Sequence, residues 1–167
     1  MNFTDFALNN NVAEAIKDLG YTTATPIQEK AIPALMDGKD LVGCAQTGTG
    51  KTAAFAIPII NHIHRIVGSG KKRKQIRTII LSPTRELAIQ IAENFEALSK
   101  YTQIKTYVIY GGVNMDPQIK ALKYGIDVLV ATPGRFLDLY KQNLIKTDAL
   151  HQLVIDEADL MLDMGFI

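Results

Sequence analysis

The sequence predicts an α/β fold: a parallel β-sheet with helices on both faces. Three observations predict it. Short apolar runs at 41–44, 76–82, 104–110, 127–131 and 153–155 alternate with stretches whose apolar residues recur at helical spacing. A glycine-bearing turn stands where the first apolar run passes into a helix-prone one, and the last apolar run ends in two adjacent carboxylates. Strands that alternate with helices pair in parallel through right-handed crossovers. With 167 residues, 47% hydrophobic and 21% charged, the chain is one domain or part of one, and its balance is that of a globular protein rather than a disordered one.

Each element has its own signal. Val12, Ile16 and Leu19 share a helical face between capping asparagines and Gly20. Thr25-Pro26 reads as an N-cap with proline at the first helical position, opening a helix that runs to about Met36 and stops before Gly38. Gln28 falls in its first turn. Leu41-Val42-Gly43-Cys44 reads as a strand, and Ala53-Ala54-Phe55-Ala56 as the helix after the turn. The isoleucine-rich strand at 76–82 leads into Pro83-Thr84-Arg85-Glu86-Leu87-Ala88, where a helix opens with Leu87, Ile91, Phe95 and Leu98 on one face. The strand at 104–110 is followed by Gly111-Gly112 and a short helix closed by Gly125. The strand at 127–131 is followed by Thr132-Pro133-Gly134-Arg135 and a helix through Leu139. Ligands of open α/β sheets bind outside the carboxyl ends of the strands, which is where these loops lie.

The glycine-bearing turn is Ala45-Gln46-Thr47-Gly48-Thr49-Gly50-Lys51-Thr52. Gly48 and Gly50 let the backbone curl so that N–H groups from Gln46 to Gly50 point at one anion. The helix opening near Lys51 adds the positive end of its dipole. Lys51 can reach terminal phosphates, and the Thr52 hydroxyl can ligate Mg²⁺. The general phosphate-loop pattern asks for glycine at position 45; Ala45 stands there and is small enough for the turn. A glycine-rich turn with a surface lysine is the competing reading, and the flanking strand and helix weigh against it. The expected ligand is a nucleoside triphosphate.

The strand at 153–155 runs into Asp156-Glu157-Ala158-Asp159. Acidic residues often terminate strands, so the pair says little alone. In a chain with a phosphate loop, Asp156 is expected to hold Mg²⁺ and Glu157 to orient and deprotonate an attacking water. Hydrolysis is therefore expected, beyond simple binding.

Composition excludes several classes. A net charge of +1 means that any nucleic-acid contact must come from local basic and backbone groups. The single cysteine, Cys44, rules out an internal disulfide, fits a reducing compartment and reads as a small buried residue at a strand end. The N-terminus has no signal-peptide pattern and no apolar run approaches a membrane span, so a cytoplasmic protein is expected. The basic loop Lys71-Lys72-Arg73-Lys74 reads as a solvated connection in preference to a nucleic-acid contact.

From Phe3 to Phe166 the chain resembles the first RecA-like domain of a DEAD-box RNA helicase, with the family's signatures in the family's order. Phe3 with Gly20-Tyr21 to Gln28 resembles the Q motif (segment 3–28). The turn is the family's A-Q-T-G-T-G-K-T, which accounts for Ala45. P-T-R-E-L-A, G-G, T-P-G-R, D-E-A-D and the tail Met161-Leu162-Asp163-Met164-Gly165-Phe166 follow. The basic loop and the tail point to the bacterial RhlE-like branch.

The resemblance implies that Gln28 reads the adenine edge, with Tyr21 stacked on the base and Phe3 nearby. It implies that Thr84, Arg85, Gly111, Gly112, Thr132, Gly134 and Arg135 lie along the RNA, whose recognition would be independent of sequence. Helix starts, glycines and arginines suit a sugar–phosphate chain. Asp159 is implied to hold a Ser-Ala-Thr segment that this chain lacks. Ala24, where the family usually has proline, and Leu160, usually polar, depart from the pattern.

By resemblance, residues 1–167 form a partial first domain. The Ser-Ala-Thr strand, normally between the phosphate-loop strand and the D-E-A-D strand, is expected to follow, as is a second RecA-like domain with the arginines that complete hydrolysis. The alternatives are a non-catalytic ATP- or RNA-binding module and a different phosphate-loop enzyme such as a small-molecule kinase. In the kinase, P-T-R-E-L-A and T-P-G-R would have no role.

Overall fold

Parallel pairing fixes the architecture. The computed structural model describes residues 1–46, 48–68 and 74–166, which form two compact units: Met1–Lys71 with Asn94–Gln103, and Lys72–Glu93 with Ile104–Ile167.

The second unit is built on a four-stranded parallel sheet of β1 (Thr78–Leu81), β2 (Thr106–Ile109), β3 (Val128–Ala131) and β4 (Gln152–Ile155), in the order β2-β3-β1-β4. Strands covered on both faces need apolar side chains at every position, and all four residues of β3 are buried. Around Ile79, Leu129 and Ala131 the core gathers Ile109 from β2 and Leu139 from α6 (Pro133–Lys141), with Ile119 and Leu122 of α5 (Asp116–Tyr124) packed against it. Below β3, the carboxylate of Asp127 is buried and accepts from Lys74 Nζ at 3.0 Å and from the Lys105 N–H at 2.8 Å. Gly125 stops α5 with φ +111°, and a Cβ there would press on Lys74. The expected strands and helices from β1 onward are therefore present, with ends shifted by a residue or two.

The first unit is helical. A 3₁₀ turn at Phe3–Asp5 precedes α1 (Asn10–Asp18), α2 (Pro26–Met36) and α3 (Lys51–Val67). The Asn9 side chain caps α1 by accepting from the Asn11 N–H. Helices α2 and α3 pack on one another, with Ala31 and Ile32 of α2 and Ala53, Ala56, Ile57 and Ile60 of α3 buried. The side-chain Oδ1 of Asn61 accepts from the Asn9 backbone N–H at 2.7 Å. Helix α4 (Arg85–Leu98) begins in the sheet unit and ends here, where Phe95 lies 6.3 Å from Phe55. Asp18, at the end of α1, accepts from the Tyr101 hydroxyl and from Lys100; these hydrogen bonds, Tyr101's foremost, hold its carboxyl below the usual aspartate value.

Two expectations fail. Leu41-Val42-Gly43-Cys44 is not a strand: the segment is irregular, Val42 is 96% exposed, and Cys44 is an exposed thiol instead of a buried strand-end residue. The sheet therefore has four strands among the described residues, not five. An apolar run becomes a strand only when its N–H and C=O groups find a ladder, and the ladders of this sheet join only β1 to β4. Conversely, the tail forms a short helix, α7 (Ala158–Asp163), anchored by buried Met161. Of the basic loop, Lys71, Lys72 and Arg73 lie outside the described residues, while Lys74 is the partner of Asp127.

Sheet order sets the stability map. Leu129→Ala, in the fully buried strand β3, should destabilise the protein by about 2–5 kcal/mol. Leu153→Ala, on edge strand β4 where the side chain is 57% exposed, should stay within about 0.5 kcal/mol. Urea unfolding of both variants checks this, and equal losses would contradict the order.

Candidate functional site

In the helical unit the glycine-bearing turn closes as its sequence requires. Gly48 and Gly50 both take left-handed backbone, φ +84° and +80°, and Gly50 is the N-cap of α3. Lys51 and Thr52 are thus the first two residues of a 17-residue helix, whose N-terminal N–H groups open towards the turn. The Thr49 hydroxyl donates to the Gln46 carbonyl at 2.6 Å, pinning the turn internally. Thr47 lies outside the described residues.

Gln28 meets this turn. As the third residue of α2 it reaches back to accept from the Thr25 N–H at 3.0 Å, and its Nε2 donates to the Gly50 carbonyl at 3.1 Å. Only 4% of the residue is exposed, so both ends of the amide are engaged where water is excluded. A Cβ at Gly50 would collide with that amide, which gives the glycine a second reason besides its φ. Tyr21 is placed by the end of α1: the Gly20 N–H bonds the Lys17 carbonyl and the Tyr21 N–H bonds the Ile16 carbonyl, with Gly20 at φ +75°. That is a Schellman cap. The Tyr21 ring, 37% exposed, stacks at 5.8 Å on Phe3, which is buried. Phe3, Tyr21, Thr25, Gln28, Gly48 and Gly50 line one cavity of about 320 Å³. Segment 3–28 and the glycine-bearing turn, separate in sequence, therefore share a cavity.

In the sheet unit Asp156 and Glu157 leave the carboxyl end of β4. Asp156 is buried, and its N–H donates to the Leu81 carbonyl at 2.9 Å. Glu157 has left-handed backbone, φ 53° and ψ 48°, and caps α7 through its carbonyl, which accepts from Met161. Such backbone is unfavourable for a residue with a Cβ; among the described non-glycine residues only Asn143, at φ 59°, shares it. Asp159 is exposed in the first turn of α7.

The residues expected along RNA all belong to this unit, on the loops after β1, β2 and β3. Thr84 accepts from the Leu87 N–H at 3.2 Å, and Arg85 opens α4 with its guanidinium 5.0 Å over the Tyr110 ring. Gly112 has φ +81° beside Gly111. Thr132 is the N-cap of α6, with Gly134 and Arg135 in its first turn. The guanidinium of Arg135 donates to Gln118 Oε1 at 3.0 Å and to the Val113 carbonyl at 3.2 Å. Gln118 in turn donates to the Tyr110 carbonyl at 3.1 Å. Tyr110 and Gln118 escaped the sequence reading. Tyr110 looks like a strand end, and nothing in the spacing of α5 reveals that a glutamine is its only buried residue.

Residues 25–167 match the profile of a family described as DEAD/DEAH box helicase. The ATP-dependent RNA helicase CshA of Limosilactobacillus reuteri is 47% identical over 100% of this chain and 32% of that protein. The ATP-dependent RNA helicase RhlB of Shewanella sediminis is 43% identical over 99% of this chain and 38% of its own length. A crystal structure of a hypothetical ATP-dependent RNA helicase from Sulfolobus tokodaii aligns with a TM-score of 0.84 at 37% identity, covering 95% of this chain and 44% of that one. The chain spans about a third of the length of the curated relatives it matches. With most of its length inside the family profile and its parallel sheet matched in a solved relative, the chain belongs to the DEAD/DEAH box helicase family.

Proposed function

We propose that this chain is the ATP-binding and RNA-backbone-binding part of an ATP-dependent RNA helicase. In the whole protein, ATP hydrolysis would drive RNA duplex unwinding or ribonucleoprotein remodelling. The observation that carries the reading is the Gln28 amide bonded to the Gly50 carbonyl in the cavity that Tyr21 also lines. A polar, buried amide beside an aromatic face and a phosphate-binding turn suits a purine nucleotide.

The roles follow from chemistry. Lys51 contacts the terminal phosphates, and the backbone of Gln46, Thr47, Gly48, Thr49 and Gly50 cradles them. Tyr21, backed by Phe3, stacks on the base, and Gln28 supplies a donor and an acceptor to the adenine edge. Thr52 and Asp156 offer a hydroxyl and a carboxylate, hard oxygen donors that suit Mg²⁺, which usually keeps several waters and takes its other ligands from phosphate. Mg²⁺ would neutralise charge on the β- and γ-phosphate oxygens. Glu157 accepts the proton of the attacking water, and its unfavourable backbone is the strain that such a task would account for. Asp159, exposed on α7, is assigned to coupling with the rest of the protein.

Thr84, Arg85, Gly111, Gly112, Thr132, Gly134 and Arg135 hold the sugar–phosphate chain. Three loops from neighbouring parallel strands present N–H groups and guanidinium charge, and none presents a base-reading side chain pattern, so binding is independent of sequence. No helix among the described residues is long and apolar enough to cross a membrane. The exposed Cys44 thiol and an RNA substrate suit the cytoplasm.

Three outcomes test this in the intact protein. Lys51→Ala removes a charge-assisted contact worth about 1.5–3 kcal/mol, so ATP affinity should fall by about 10- to 100-fold; unchanged affinity in a titration would sink the phosphate-loop assignment. Glu157→Gln keeps shape but cannot take a proton. ATP and RNA should still bind while hydrolysis is lost, and normal turnover by this variant would remove Glu157 as the base. ATP should outcompete GTP, and Gln28→Ala should relax that preference because the purine edge then meets no amide. Equal competition by GTP in the unsubstituted protein would count against the Q-motif reading.

A further inference from the structure

Gln118 stands out because it is the wrong residue for its position. Helix α5 buries one residue, and that residue is an amide, 5% exposed. A buried amide is tolerated only when both its ends are hydrogen-bonded, and here each end holds a different part of the loops assigned above to RNA. Its Nε2 grips the Tyr110 carbonyl, at the point where β2 gives way to Gly111-Gly112. Its Oε1 takes the Arg135 Nη1, while Arg135 Nη2 reaches the Val113 carbonyl on the far side of the two glycines. The 111–113 loop is thus clamped at both ends by one glutamine and one arginine. Tyr110 extends the chain of contacts, since its ring lies under the Arg85 guanidinium.

Charge supplies a second, independent observation. Neither Arg85 nor Arg135 is paired with a carboxylate among the described residues. The Arg135 Nε is buried without a hydrogen-bond partner. Two guanidinium charges are therefore held in place by neutral groups: a ring, an amide and a carbonyl. A partner amide fixes the fork without neutralising it, whereas a carboxylate would do both.

We propose that Gln118 is a positioning residue for RNA-backbone binding, fixing the Arg135 guanidinium and the glycine loop as one unit, with Tyr110 linking them to Arg85. The inference rests on the assignment of Arg135 to RNA under the proposed function. Gln118 touches no phosphate; it acts through the arginine.

The test measures affinity of the intact protein for a labelled single-stranded oligouridylate, with Mg²⁺ and a non-hydrolysable ATP analogue, over a range of salt. Gln118→Met conserves volume but offers no hydrogen bonds, and Arg135→Lys keeps the charge but loses the fork. Both should weaken RNA binding by about tenfold, the size of one charge-assisted contact. Both should also lower the slope of log affinity against log salt by about 0.7, one single-strand phosphate. Mere loss of folded protein would not move that slope. Adding Gln118→Met to Arg135→Ala should cost nothing further, because the arginine through which it acts is gone. If Arg135→Ala weakens binding while Gln118→Met and Arg135→Lys match the unsubstituted protein, the positioning role is wrong. If Arg135→Ala itself leaves RNA affinity and slope unchanged, the assignment of Arg135 to RNA is wrong. Should Gln118→Met fail to fold, Arg135→Lys decides alone, since parent-like binding would show that the clamped geometry is not needed.

Discussion

The loops that leave β1, β2 and β3 depend on one constraint, the unstaggered parallel register of three strands. Leu81 of β1 lies opposite Ala131 of β3, and Ala131 lies opposite Ile109 of β2. Because all three run the same way and end level, the chain leaves each of them at the same edge. Thr84 and Arg85 follow β1, Gly111 and Gly112 follow β2, and Thr132 to Arg135 follow β3. A slip of one residue in β3 would exchange the side chains on its two faces and shift the α6 start by a full residue rise, so the packing that fixes the core also fixes where these loops begin. Ladder bonds extend this control past the strands: the Ser82 N–H bonds the Ala131 carbonyl, and the Thr132 N–H bonds the Ile109 carbonyl.

The helical unit follows a different rule. There, the constraint is an amide shared between two backbone segments. Gln28 satisfies the Thr25 N–H as part of a helix start and the Gly50 carbonyl as part of the glycine-bearing turn. Its position as third residue of α2 comes from the Thr25-Pro26 start signal, which puts Gln28 in the first turn of the helix and facing back towards its N-cap. Gly50 must then lack a side chain twice over, for its φ and for the room that Gln28 occupies. Under the proposed function, a base that engages Gln28 would compete for groups the turn already uses. On that reading, base recognition and the shape of the turn would therefore draw on the same hydrogen-bonding groups.

Much of this was legible in the sequence, and the exceptions share a cause. Helix limits were readable because caps are local: Asn9, Thr25-Pro26, Gly20 and Gly125 act on their immediate neighbours. Strands β1 to β4 were readable as apolar runs between such punctuation. The run at 41–44 carries the same local signal and yet is irregular, because pairing is not a local property. Gln118 was invisible for the same reason. Its value comes from Tyr110, Val113 and Arg135, and a glutamine in a nine-residue amphipathic helix looks like any surface residue until the partners are known. Cys44 was misread along with the strand that was to bury it.

The strained and exposed features at the end of β4 belong to one argument. Parallel strands are normally covered on both faces, but β4 alternates between half-buried and exposed residues, with Leu153 and Ile155 open to solvent. Immediately after it, Glu157 holds left-handed backbone, and the short helix α7 leaves Leu160, Leu162 and Met164 exposed around the single anchor Met161. Strain of this kind persists only where surrounding packing over-determines it. Here that packing comes from the Asp156 N–H bond to β1 on one side and from buried Met161 on the other. The Glu157 conformation is thus fixed by its two flanks and not by its own preference. That lets a glutamate, which a local rule would exclude from this position, stand directly beside the buried carboxylate of Asp156.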